Sequence, residues 1–177
     1  MVKSLILRTA LLASISAVSI NAIAATGEVT LQGVLTATTC TVNPNGGKST
    51  LNVGTFNTKV GGAGASFSAV NTITDQTVAM PVALTGCTAG EVGELIIQGT
   101  TSTGNAEQNV FVAENSQAVG FMIEDAEGNV VTEGVPLTVA AASTSASYTF
   151  NVGMGTTTLT PEAGSYSAPI LVAYIVN

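Results

Sequence analysis

Apolar and polar residues alternate along most of this chain, and the alternation has the two-residue period of β-strands. The longest such stretch runs from Gly27 to Val42, with Val29, Leu31, Gly33, Leu35 and Ala37 on one face. Glu28, Thr30, Gln32, Val34 and Thr36 fall on the other. Asn43-Pro44-Asn45-Gly46-Gly47 follows as a turn signal, then a short strand over Thr50–Val53 and a glycine-rich loop, Gly61-Gly62-Ala63-Gly64. Val78, Met80, Val82 and Leu84 alternate in a strand from Gln76 to Cys87. Pro81 within it has no N–H for a ladder, which places it at an edge or a bulge.

Further strands are expected over Glu94–Gln98 and Asn109–Ala113, with a polar loop, Thr100–Glu107, between them. Ala118–Asp125 and Asn129–Thr132 read as a hairpin around Ala126-Glu127-Gly128, with Val119, Phe121 and Ile123 facing inward. Pro136–Ala140 is a further short pairing segment. Ser147–Met154 alternates through Tyr148, Phe150, Val152 and Met154. After the turn at Thr160–Gly164, Ser167–Val176 is almost uninterruptedly apolar, which implies burial on both faces and a need for a neighbour on both sides, a hint that something is missing from the chain. Helical periodicity is nearly absent after the first two dozen residues. The expectation is an all-β sandwich in one domain, since there is no internal repeat and no linker.

The N-terminus changes the picture. Lys3 and Arg8, the apolar run Leu11–Ile20 and Ala22-Ile23-Ala24 have the order of a secretion signal, with cleavage after Ala24 or Ala25. Its apolar core is broken by Ser14, Ser16 and Ser19, too short for a membrane anchor, and no later stretch spans a bilayer. Removing residues 1–24 takes two of the four basic residues and none of the eleven acidic ones. Lys48 and Lys59 then stand alone against eleven carboxylates, a net charge of −9. Phosphate binding needs cations, so this balance excludes nucleic acid as a partner and disfavours an anionic lipid surface.

Cys40 and Cys87 are the only cysteines, and in an exported chain one disulfide is the simplest reading. With no second cysteine near either and no histidine anywhere, a metal or redox role lacks its ligands, and no cofactor is implied. The absence of histidine also rules out Ser/His/Asp and Cys/His catalysis. The carboxylates Glu124, Asp125 and Glu127 form the one conceivable acid/base group, but they read as a solvated hairpin tip. The same residues lack the spacing of a calcium loop. No enzymatic activity is expected.

Taken in order, these pieces resemble the pilins of the chaperone–usher pathway, which builds type 1 and P pili. The resemblance rests on the leader, Gly27-x-Val29-x-Leu31-x-Gly33 followed by Cys40, Leu51-Asn52-Val53-Gly54, and Val82-Ala83-Leu84-Thr85-Gly86-Cys87. It continues through Val119-Gly120-Phe121-x-Ile123-x-Asp125-x-x-Gly128 to an apolar C-terminal strand behind a Pro-x-x-Gly turn. The family pattern has a penultimate tyrosine, whereas Tyr174 here is followed by Ile175-Val176-Asn177, and Met154 stands where many relatives carry tyrosine.

The resemblance implies an incomplete immunoglobulin-like β-sandwich that lacks its last strand and is completed by a donor strand from another subunit. It divides the chain into a signal peptide (1–24), an N-terminal donor strand (25–38) and a pilin domain (39–177). Val29, Leu31, Gly33, Leu35 and Ala37 form the donor face. The C-terminal strand, through Ile170, Val172, Tyr174 and Val176, forms one wall of the acceptor groove. The implied partners are neighbouring pilin subunits in a homopolymer or mixed fibre, a periplasmic chaperone and an outer-membrane usher. The implied location is the cell surface, reached through the periplasm, where the fibre serves adhesion. The length points to a shaft or adaptor subunit rather than a two-domain tip adhesin. The alternative is a self-contained secreted immunoglobulin-like binding module whose first strand completes its own sheet.

Overall fold

The structure, a computed structural model, describes residues 40–140 and 144–176, which lie within one compact unit, 33–177. The donor-face residues Val29, Leu31, Gly33, Leu35 and Ala37, and the leader, lie outside the described residues. Seven strands are present among them: β1 (Thr41–Pro44), β2 (Val78–Thr85), β3 (Val92–Gly99), β4 (Val119–Glu124), β5 (Leu137–Ala140), β6 (Ser145–Thr156) and β7 (Ile170–Val176). They form two antiparallel sheets, one ordered β1-β2-β6-β4 and the other β5-β3-β7. No α-helix occurs among the described residues; one 3-10 turn, Asn45–Gly47, follows β1. No helix there is long and apolar enough to cross a membrane.

Alternation on the facing strands builds the core. Met80, Val82 and Leu84 of β2, Leu95 and Ile97 of β3, Ile123 of β4, Phe150 and Val152 of β6, and Val172 and Tyr174 of β7 are all buried in one cluster. Cys40 and Cys87 belong to it and are joined by a disulfide, with Cα atoms 4.2 Å apart. The bond closes the end of the β1–β2 ladder, where Thr41 pairs with Thr85. Pro81 sits in an interior strand, yet the β1 register ends at Pro44 opposite Val82. Pro81 is therefore flanked only by β6, where it faces Thr149, so the expected edge exists locally.

A second, smaller cluster explains why β4 is buried on both faces. Met122 turns away from the main core and packs with Val110, Val112 and Ile73. The segment carrying Val110 and Val112 is held to β4 by reciprocal backbone bonds between Phe111 and Phe121, each 2.8 Å. The strand expected over Asn109–Ala113 is thus reduced to isolated bridges, to Thr101 and to Phe121. Gly120 permits this close approach: a Cβ there would lie 2.1 Å from the Phe111 carbonyl oxygen. At the far end of β6, beyond its β2 pairing, Asn71 and Thr74 donate their N–H groups to the carbonyls of Thr156 and Met154.

Two expectations fail. Thr50–Val53 is not a strand: Leu51 and Phe56 are half-buried and Val53 is buried in the core, but residues 51–57 belong to no ladder or bridge among the described residues. β7 is not buried on both faces. Val172 and Tyr174 point inward, whereas Leu171 is 60% exposed on the outer face. Among the described residues β7 stands at the edge of its sheet and pairs with β3 alone, so one of the two expected neighbours is not found there. The apolar residues on its outer side reflect strand propensity and partial cover, not a second core.

Candidate functional site

Among the described residues the outer edge of β7 and the segment after β1 have no ladder partner, and an open groove lies between them. Its wider part, about 770 Å³, is bounded by Pro44–Leu51 on one side and by Ser167–Ile170 and Val172 on the other. Its floor is apolar: Val53, Met80, Phe111, Ile123 and Val152. A second part, about 510 Å³, continues it between residues 50–58 and 161–166, over Val119, Phe121 and Met154. Leu51, Val53, Phe121 and Tyr166 line both parts, so the two are one trough.

Local sequence shapes each lip. On one side the positive φ of Asn45, Gly46 and Gly47 turns the chain away from β2 after only four paired residues. The Asn45 side-chain amide then donates to the carbonyls of Lys48 and Thr50, each at 3.0 Å, and holds that turn. On the other side the Tyr166 hydroxyl donates to the Glu162 carbonyl at 2.7 Å and closes the turn before β7. Both lips are therefore fixed by their own local bonds, and neither needs a strand between them to hold its course.

Of the four residues expected in an acceptor wall, Ile170 and Val172 line this trough. Tyr174 is buried in the core beyond the groove, and Val176 packs against that core without lining the trough. The ring of Tyr174 occupies the space a Cβ on Gly93 would need, 2.5 Å away. Burial pushes the Tyr174 phenol up, and the nearby Glu91 carboxylate adds to the shift. The lip residues Leu51, Ala168 and Tyr166 and the floor residues Phe111 and Phe121 were not singled out as site residues from sequence. The Leu51-Asn52-Val53-Gly54 and Val119-Gly120-Phe121 motifs and the expected strands Asn109–Ala113 and Ser167–Val176 contained four of them without marking them as a site.

The acidic hairpin is structural. Asp125 Oδ1 accepts the backbone N–H groups of Glu127 and Asn129 at 3.0 and 2.8 Å, and its Oδ2 accepts the Asn129 side-chain amide at 2.9 Å. Slight burial alone would raise this carboxyl, but those hydrogen bonds hold its pKa below the ordinary carboxylate value. A carboxylate committed to its own turn is a poor acid/base catalyst. Among the described residues no group of three or more histidine, cysteine, aspartate or glutamate side chains is placed to hold a metal ion.

Solved structures similar to this chain include a chain of a chaperone–usher pilus from work on rod uncoiling, with a TM-score of 0.56 and 13% identity over 86% of this chain and 96% of the other. Another is a type I fimbria protein and antigen of Burkholderia pseudomallei, with a TM-score of 0.53 and 17% identity over 77% and 99%. A third is PapA, the P pilus rod subunit, with a TM-score of 0.51 and 15% identity over 85% and 100%. The fold is that of pilus subunits. The likeness lies in backbone architecture, since so few side chains are shared. No protein-family model matches the sequence, and no curated protein matches it.

Proposed function

We propose that this chain is a structural subunit of a chaperone–usher fimbria, polymerising by donor-strand exchange into a surface fibre used in adhesion. The observation that carries the reading is the trough itself: an apolar floor between a strand edge and an extended segment that, among the described residues, have no ladder partner on that side. Unpaired backbone groups beside apolar surface are a template for strand addition. The occupant is residues 25–38 of the preceding or following subunit, with Val29, Leu31, Leu35 and Ala37 directed to the floor and Gly33 where backbones approach closely. Burying a Val or Leu contributes about 1.5–3 kcal/mol, so these apolar residues supply several kcal/mol before the cost of association. Each subunit gives one strand and receives one, a head-to-tail contact that need not close and so yields a filament. Before the neighbour arrives, a periplasmic chaperone covers the trough, and an outer-membrane usher passes the subunit to the surface. Cys40–Cys87 fixes the point where the donor segment leaves the domain.

The test compares the mature chain with one lacking residues 25–36. The intact protein should form heat-resistant polymers. The shortened protein should remain monomeric and gain stability from an added peptide of residues 25–38. A stable intact monomer at every concentration, with a shortened form that simply unfolds, would refute the proposal and favour a self-contained module.

A further inference from the structure

The two ends of the trough differ in charge. Lys48 lines the part that contains Ile170 and Val172, and Glu162 lines the part that contains Thr58 and Pro161. Lys48 is one of only two cations outside the leader. The other, Lys59, lines neither part and donates its Nζ to the Ala63 carbonyl. Residues 25–39 contain a single charged side chain, Glu28, near their N-terminal end.

Resting on the strand-exchange reading above, we propose that Lys48 selects the orientation and register of the incoming segment by pairing with Glu28 of a second copy of this chain. Entry with Glu28 toward Lys48 brings opposite charges together. Reversed entry sets Glu28 beside Glu162. Backbone physics favours the same direction. The chain advances from the Glu162 end into β7 at the Lys48 end, so a strand whose N-terminal end lies at Lys48 runs antiparallel to β7. Antiparallel ladders are slightly more stable per residue than parallel ones. With eleven carboxylates against two lysines, approaching subunits repel over most of their surface. Lys48 is the one attractive point on the trough for an acidic tip. An exposed pair adds little to final stability. Its effect falls on the rate and direction of encounter.

The test measures the rate of polymer formation by the mature chain at low salt, with K48E, E28K, the swapped double variant K48E/E28K, and K59E as a charge control. The two single changes at the pair move net charge in opposite directions, so a shared slowing is not a net-charge effect. Each should slow joining about three- to tenfold, and the swap should return within about twofold of the parent. The differences should vanish near about 0.5 M salt. K48E joining as fast as K59E, or a swap as slow as the single variants, would overturn the pairing while leaving strand exchange intact. A parent chain that forms no polymer would overturn both.

Discussion

Leu171 and Val172 are adjacent on β7 but face opposite ways, which makes the strand's asymmetry measurable. Val172 is 9% exposed and lines the trough above Met80, Phe111 and Ile123; Leu171 is 60% exposed. Val172→Asp forfeits nearly the whole burial contribution of a valine, about 1.5–3 kcal/mol. It also brings a carboxylate to an apolar floor that offers it no partner, at a further cost of about 1–3 kcal/mol. The total is about 4 kcal/mol. Leu171→Asp gives up only the buried fraction of its side chain, about 1 kcal/mol. For a chain of this size each kcal/mol moves Tm by roughly 2–4 °C. Thermal unfolding followed by circular dichroism should therefore fall by about 8–16 °C for Val172→Asp and by about 2–4 °C for Leu171→Asp. Equal losses would mean that β7 is packed on both faces, and the identification of its outer side as free would be wrong.

Two further outcomes follow from the same packing. Loss of the Cys40–Cys87 bond opens a loop of 47 residues, which costs about 4 kcal/mol in the chain-entropy model. Urea midpoints of the Cys40→Ala/Cys87→Ala variant should drop by roughly 2 M, and a drop below about 0.5 M would show that the β1 ladder holds without it. At the hairpin, the folded Asp125 pKa lies below its unfolded value, so its stabilisation is complete above the unfolded pKa and is lost as pH falls through the folded one. Amide protection factors at Val119–Val131, taken relative to the intrinsic exchange rate at each pH, should fall on acidification in the parent, whereas Asp125→Asn should be less protected at neutral pH and lack that step. Identical profiles for the two proteins would rule out the carboxylate as the hairpin's anchor.

The core strands were legible because their alternation and their pairing coincide. Met80, Val82 and Leu84 read as one buried face and are one, and the same holds for Phe150 and Val152. The two cysteines read as a disulfide and form one. The failures have a common physical origin: periodicity reports which side chains meet the core, not whether the backbone has a neighbour. Leu51 and Val53 alternate as a strand does and meet the core, yet no ladder runs beside them. Ile170–Val176 is apolar on both sides, yet it stands at an edge, because hydrophobicity alone does not separate an edge strand from a central one. Ala168 falls within the apolar stretch Ser167–Val176, yet the strand begins only at Ile170, and Ala168 lies on the lip that precedes β7. The two misread elements are the two sides of the trough. Neither has a ladder on its trough side among the described residues, although β7 is fully paired to β3 on the other.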